Sequence, residues 1–121
     1  MSKKTLILGA STSAYRYSFM AANRLHSSGH SLVLVGKRKD EWNGITIWDR
    51  WPKDVNDVDT ITVYLAPENQ HTYYDDIANS GVKRLIFNPG SENAELEGIA
   101  RSAGIEVIEA CTLIMLSSNQ Y

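Results

Sequence analysis

Three short apolar runs along the chain each begin within two residues of a glycine. The glycines and the runs that follow them are Gly29 with residues 31–35, Gly81 with residues 82–87, and Gly104 with residues 105–108. Glycine takes the left-handed conformation that often ends a helix. An unbroken β-branched run is typical of a strand buried on both faces of a parallel sheet. The repeated order of helix, glycine and strand therefore predicts an α/β fold.

The segments before these glycines carry apolar residues at helical spacing. Leu96, Ile99, Ala100 and Ala103 follow an i, i+3, i+4, i+7 pattern, which predicts one amphipathic helix with Asn93 or Ser91 as its cap. Similar stripes predict two earlier helices, one on Tyr17, Ala21, Ala22 and Leu25, the other on Tyr73, Tyr74, Ile77 and Ala78.

The remaining apolar runs complete the sheet. The predicted strands are residues 5–8, 31–35, 45–48, 60–65, 84–87 and 106–108. Right-handed crossovers place the first strand at the centre of the sheet, with the chain winding outward on both sides. We expect a single domain over residues 1–121, a Rossmann-like three-layer sandwich with a mostly parallel sheet of five or six strands.

Composition limits the classes of function. The chain has 121 residues, a net charge of −2 and one cysteine, Cys111. This charge gives no general attraction for nucleic acid. We expect a cytoplasmic protein without a membrane span, because the start of the chain does not resemble a secretory leader and a lone cysteine suits a reducing compartment. Cys111 is interpreted as a small apolar residue rather than a nucleophile, and His26 and His30 are expected to face solvent.

The loop after the first strand carries a pattern that suits a phosphate. Gly9 permits a tight turn, the hydroxyls of residues 11–13 can donate, and the helix that starts near Ser18 offers free N–H groups at its positive end. Arg16 can add a charged contact. The alternative is an ordinary polar loop in which Ser18 caps the helix.

The dinucleotide fingerprint Gly-x-Gly-x-x-Gly is absent, since Ser11 and Ala14 stand at its second and third glycine positions. The second strand is followed by Lys37, Arg38 and Lys39 rather than by the acid that NAD requires. This basic run favours the 3′-phosphate of CoA or the 2′-phosphate of NADP. The alternative is a solvated charge run, partly neutralised by the two acids that follow it.

Several short motifs resemble one family. Gly9-Ala10-Ser11 followed by Arg16-Tyr17-Ser18 is similar to the opening of the small bacterial CoA-binding proteins. These are single Rossmann domains like the CoA-binding domain of the succinyl-CoA synthetase α subunit. Residues 44–48, 58–64, 67–68, 87–90 and Cys111 extend the resemblance. Gly36-Lys37 departs from the family's usual Asn-Pro at this place.

The resemblance implies a position for CoA. Its pyrophosphate would lie on residues 9–13 and the helix start, its adenosine near the end of the second strand, and its pantetheine beside residues 65–67. The candidate binding residues are Gly9, Ala10, Ser11, Thr12, Ser13, Arg16, Ser18, Val35, Lys37, Arg38, Leu65 and Pro67. No histidine and cysteine spacing suits a metal.

Three functions remain open at this point. The first is a non-catalytic module or regulator that binds CoA or acyl-CoA. The second is a small NADP-dependent oxidoreductase whose site is shared across a dimer, and the third is an interaction protein with a degenerate nucleotide pocket. Residues 113–116 form an apolar segment that either docks on the domain or marks the interface of a homodimer. At least two of the tryptophans are expected to be packing residues at the sheet edge.

Overall fold

The computed structural model describes residues 2–121 and contains one seven-stranded sheet. The strands are β1 (Thr5–Ala10), β2 (Leu32–Gly36), β3 (Asp40–Trp42), β4 (Ile45–Trp48), β5 (Thr60–Val63), β6 (Arg84–Phe87) and β7 (Glu106–Glu109). The helices are α1 (Tyr17–Ser27), α2 (Tyr74–Ala78), α3 (Ala94–Ser102) and α4 (Thr112–Ser117). Two short 3₁₀ turns, Pro67–Asn69 and His71–Tyr73, precede α2. The predicted α/β, Rossmann-like class is confirmed.

The sheet order is β3-β4-β2-β1-β5-β6-β7, so the first strand lies at the centre as predicted. The pairs β1–β2, β1–β5, β2–β4, β5–β6 and β6–β7 are parallel, and β3–β4 is antiparallel. The chain winds outward from β1 in both directions, so the direction of winding reverses there. In an open parallel sheet this reversal leaves a crevice at the carboxyl ends of the strands.

Apolar side chains cover both faces of the sheet, which confirms the three-layer arrangement. Leu6, Leu8 and Val35 belong to a core that includes Leu96 and Ala100 of α3. Ile7 and Leu34 point to the opposite face and pack with residues of α1. Neighbouring residues of one strand thus belong to different cores, because successive side chains alternate across the sheet.

The strand count is higher than predicted because β3 was missed. Asn43 and Gly44 have φ values of 52° and 80°. Two positive φ angles are what a two-residue type I′ hairpin requires, and Asn-Gly is its preferred sequence. This turn folds β3 back onto β4 at the sheet edge. Trp42 is buried there and meets Phe19 edge-on, with the ring centroids 6.3 Å apart.

The three glycines that define the repeat all adopt the conformation expected of them. The φ values are 88° at Gly29, 73° at Gly81 and 81° at Gly104. The cap of α3 is also as predicted, since the Asn93 side chain accepts hydrogen bonds from the N–H groups of Glu95 and Leu96. Side-chain chemistry at the start and glycine at the end therefore fix the limits of α3.

Residues 113–116 lie in α4, which packs beside α1, so the expectation that this segment docks on the domain is confirmed. Two other local expectations were wrong. Tyr17 was placed in the buried stripe of the first helix, yet it is 68% exposed. His30 was expected to face solvent, but it is buried. Its Nδ1 accepts a hydrogen bond from the N–H of Lys3 at 2.9 Å, which holds the ring in place. Within residues 2–121 no helix has both the length and the apolar character needed to cross a membrane.

Candidate functional site

A cleft of about 840 Å³ opens at the carboxyl ends of the central strands, where the winding reverses. Its volume lies within the usual range of small-molecule sites. Its walls come from the loop between β1 and α1, from the residues after β2, and from the segment after β5. The sequence-predicted residues that line it are Gly9, Ala10, Ser11, Thr12, Ser13, Arg16, Ser18, Lys37, Arg38 and Leu65.

Two of the predicted residues are not among the described residues that line this cleft. Val35 is fully buried with the core that includes α3 residues, because strand alternation points it away from the side that Leu34 faces. Pro67 begins the first 3₁₀ turn and does not line the cleft, although Ala66 before it and Asn69 after it do. The basic residues after β2, rather than Val35, form that part of the wall.

The loop between β1 and α1 is shaped by its own hydrogen bonds. The N–H of Ser13 donates to Ser11 Oγ at 3.0 Å, and the N–H of Arg16 donates to the carbonyl of Ser13 at 3.1 Å. Gly9 begins the turn with a φ of +103°, and a Cβ there would lie 3.1 Å from the backbone nitrogen of Leu65. Glycine is thus required both for its conformation and for the close approach of two cleft walls.

The start of α1 faces the cleft without a side-chain cap. Arg16 is the N-cap residue and makes no capping hydrogen bond through its side chain, and the first turn carries no acid. The N–H groups of Tyr17 and Ser18 have no partner within the helix, as at any helix start. Ser18 lies inside the first turn rather than at the cap, so the alternative in which Ser18 caps the helix is wrong. The positive end of this helix is therefore free to meet an anion.

Positive charge lines the side of the cleft formed by the loop between β1 and α1 and by the residues after β2. Arg16, Lys37 and Arg38 belong to these segments, and Asp40, which also follows β2, is the one carboxylate among the described lining residues. The whole chain, in contrast, carries a net charge of −2. Local cations and free amide donors next to each other attract phosphate groups more strongly than either feature alone.

The residues that line the cleft after β5 and β6, which we call its neutral end, are uncharged. Leu65, Ala66, Asn69 and Pro89 line it together with Tyr64. Burial raises the pKa of Tyr64 to about 12, so this phenol is neutral at physiological pH. Its buried hydroxyl has no hydrogen-bond partner among the described residues, although the hydroxyls of Thr62 and Thr112 are close by. Tyr64 thus contributes a neutral wall rather than a charged contact.

A buried polar cluster supports this uncharged end. Asn88 donates to Thr62 Oγ1 at 2.7 Å and to the carbonyl of Val63 at 2.9 Å. Its Oδ1 accepts from the N–H of Thr112 at 2.8 Å. The cluster joins the ends of β5 and β6 to the start of α4, and so fixes the loops on which the cleft rests. Sequence reasoning did not find this role of Asn88.

Several lining residues escaped sequence reasoning. These are Tyr15, Tyr17, Asp40, Ile47, Tyr64, Asn69 and Pro89. Ala66 lies within the segment 65–67 that was expected beside the pantetheine, and it does line the cleft. Ile47, Tyr64 and Pro89 stand near the carboxyl end of a strand. That position is the available signal, since ligands bind at that edge of parallel sheets. Tyr15 and Tyr17 are the most exposed of the cleft's aromatic residues, at 93% and 68%. Both residues lie at or just before the start of α1, which begins at Tyr17. Their exposure could therefore be predicted only once the start of this helix was known.

Cys111 is half-buried and precedes α4 as its N-cap residue. Across residues 2–121 there is no cluster of three or more histidine, cysteine or acidic side chains that could hold a metal ion.

Comparisons with known proteins agree with this geometry. A family described as a CoA binding domain matches residues 3–117. A crystal structure of an uncharacterised protein is 47% identical with a TM-score of 0.95, covering 100% of this chain and 99% of that one. A hypothetical protein from Pyrococcus horikoshii OT3 shares the fold at 19% identity, with a TM-score of 0.88 and coverage of 96% and 82%. No curated protein matches the chain.

Proposed function

Because the chain belongs to the CoA-binding domain family, we propose that it binds CoA or an acyl-CoA in the cleft described above. The proposed activity is binding, as a carrier module or a regulator of other proteins. The observation that carries the proposal is the distribution of charge along the cleft. Three cations and one carboxylate line the side of the cleft formed by the loop between β1 and α1 and by the residues after β2, whereas the residues that line it after β5 and β6 are uncharged. The whole chain has a net charge of −2.

CoA has the same asymmetry. Its nucleotide half carries all of its phosphates, and its pantetheine arm is uncharged. The anionic half therefore lies at the end with Arg16, Lys37 and Arg38, and the arm runs toward Leu65 and Tyr64. The reverse orientation would place phosphates against apolar and neutral groups, which desolvates charge without a partner.

The pyrophosphate is expected to lie on the loop between β1 and α1. The hydroxyls of Ser11 and Thr12 and the free amides at the start of α1 supply donors, and Gly9 leaves room for the backbone to approach. Lys37 and Arg38, which follow β2 and line the cleft, are expected to meet the phosphate on the ribose.

A thermal-shift panel tests the proposal. The ligands are CoA, acetyl-CoA, NAD(H), NADP(H) and ATP, each added to the unmodified chain and to Arg16→Ala. Arg24→Ala is the matched control, because Arg24 is an exposed residue of the same helix outside the cleft. A ligand at 100 times its Kd stabilises the folded state by about 2.7 kcal/mol.

We expect CoA and acetyl-CoA to raise Tm, with a smaller rise in Arg16→Ala and an unchanged rise in Arg24→Ala. A response to NADP(H) alone would instead favour a reductase with a shared site. No response to CoA species at millimolar concentration would contradict the proposal and favour an interaction protein with a degenerate pocket.

A further inference from the structure

Gln70 is a fully buried polar residue between the two 3₁₀ turns, and it does not line the cleft. Its relative exposure is 0%. A carboxamide in such a place costs free energy unless its donors and acceptor are satisfied. The burial of its side chain is therefore explained by the groups to which it is hydrogen-bonded.

Both N–H donors of Gln70 are used on backbone carbonyls. Nε2 donates to the carbonyl of Leu65 at 2.9 Å and to the carbonyl of Ser91 at 2.7 Å. Leu65 lies in the segment after β5, and Ser91 lies in the loop after β6, two residues beyond Pro89. Leu65 and Pro89 both line the neutral end of the cleft. One carboxamide thus joins two walls of that end.

The orientation of Gln70 is held from the other side. Its Oε1 accepts from Asn93 Nδ2 at 3.0 Å, and the same Nδ2 donates to the hydroxyl of Tyr74 at 2.8 Å. Asn93 is itself fixed, because its Oδ1 caps α3. The position of the Leu65 segment is therefore tied through Gln70 to the start of a helix.

The Leu65 segment also meets the loop between β1 and α1, which we call the phosphate-side loop. A Cβ on Gly9, in this loop, would lie 3.1 Å from the backbone nitrogen of Leu65. Gln70 is fully buried behind this wall and is not among the residues that line the cleft. No cation of the cleft is hydrogen-bonded to it, so its influence falls on the neutral end.

We propose that Gln70 is a positioning residue that holds the Leu65 and Pro89 walls at the spacing needed for the uncharged arm of CoA. This inference rests on the proposed function. It adds that binding of the pantetheine arm depends on the buried residue Gln70. Loss of Gln70 weakens the contribution of the pantetheine arm and of any acyl group. It leaves binding of the nucleotide half nearly intact, since the loop between β1 and α1 and the residues after β2 keep their own support.

The test compares CoA with adenosine 3′,5′-bisphosphate, a probe that keeps the 3′-phosphate and the first 5′-phosphate but lacks the second phosphate of the pyrophosphate and the arm. Calorimetric titrations are made on the unmodified chain, on Gln70→Met, and on Asn93→Asp. Gln70→Met keeps the length of the side chain without its hydrogen bonds. Asn93→Asp keeps the cap of α3 and removes the donor to Gln70, so it covers the case in which Gln70→Met does not fold.

Tyr74→Phe is the matched control. It removes a hydrogen bond of Asn93 from the same cluster but leaves all contacts of Gln70 in place. We expect Gln70→Met to weaken CoA binding about tenfold, which corresponds to one or two lost hydrogen bonds. Asn93→Asp should weaken CoA in the same direction, by about threefold. In each of these variants the affinity for adenosine 3′,5′-bisphosphate should change by less than about twofold. In Tyr74→Phe the affinities for both ligands should also change by less than about twofold.

Equal loss of both ligands in the Gln70 and Asn93 variants would overturn the inference, because a general loss of folding or cleft shape would then suffice. Unchanged CoA binding in a folded variant would overturn it as well, with the proposed function intact. Absence of CoA binding by the unmodified chain would overturn both proposals.

Discussion

Gly36 and Ala10 approach each other so closely that a Cβ on Gly36 would lie 2.5 Å from the carbonyl oxygen of Ala10. The two residues are register partners at the ends of β2 and β1, where the pairing of the strands is irregular. Ile47 Cγ2 would lie 2.9 Å from the same Cβ. A side chain at position 36 would therefore push on the start of the phosphate-side loop.

Gly36→Ala is predicted to destabilise the fold by roughly 1–3 kcal/mol, the usual cost of overpacking. It should also weaken CoA binding, because Ala10 and the loop after it must shift. Denaturant unfolding and calorimetry measure the two effects. Gly98→Ala is the control, since a Cβ there meets nothing within 4 Å and alanine favours the α3 helix. An equally stable Gly36→Ala would show that the close approach is easily relieved.

Lys37→Ala and Arg38→Ala are predicted to weaken CoA binding by about five- to tenfold each. Dephospho-CoA, which lacks the 3′-phosphate, should lose less affinity in the same variants. Binding of CoA by the unmodified chain should also weaken as salt is added, because exposed charges are screened. Lys83→Ala is the control, since Lys83 directly precedes β6, at the end of the strands opposite the cleft, and does not line it. Identical losses for both ligands would contradict the assignment of these cations to the 3′-phosphate.

His30 is predicted to make stability depend on pH. Burial, and then the positive charge of Lys3, lower the pKa of His30 below its ordinary 6.5, with Arg84 adding a weaker effect. The unfolded chain therefore takes up a proton at a higher pH than the folded chain. Its contribution to stability is fully present above pH 6.5 and is lost as the pH falls from there toward the lower folded pKa.

The measurement is the free energy of unfolding between pH 7.5 and pH 5 in the unmodified chain and in His30→Asn. Asparagine keeps an acceptor for the N–H of Lys3 but does not titrate in this range. We expect the curve of the variant to fall less steeply below pH 6.5. Two curves of the same slope would show that His30 protonates without cost.

Asn88→Asp is predicted to destabilise the fold by about 2–3 kcal/mol, because a buried carboxylate cannot donate to Thr62 and Val63. Asn23→Asp, on the exposed side of α1, should stay within about 0.5 kcal/mol of the unmodified chain. Equilibrium unfolding in urea compares them. A loss of stability of similar size in both variants would contradict a special role for the hydrogen bonds of Asn88.

Much of the architecture could be predicted because the signals are local. The glycines at 29, 81 and 104 mark helix ends by conformation alone, and they do so in the structure. The hairpin between β3 and β4 was missed although Asn43-Gly44 is a strong turn signal, because β3 has only three residues and two of them are charged. The short α4 was missed for a related reason, since six residues give too little periodicity to separate a helix from an apolar tail.

The cleft was harder to predict than the sheet. Its lining depends on the direction in which side chains point and on the distance between segments that are far apart in sequence. Val35 stands beside the basic residues in sequence, yet strand alternation turns it into the core. The demand for glycine at position 36 comes from Ala10 and Ile47, which are distant in sequence. Gln70 lies in no motif, and the motif at residues 87–90 does not indicate what the Asn88 side chain contacts. Both roles follow only from the carbonyls and hydroxyls that the fold brings to these two residues.

The most direct measurement is an isothermal titration of the unmodified chain with CoA at low salt. Saturable binding of one CoA per chain, weakened by Arg16→Ala and by added salt, is the result that the charge distribution of the cleft predicts. A titration that shows no saturable binding at millimolar CoA, with a chain that is folded by circular dichroism, would contradict it.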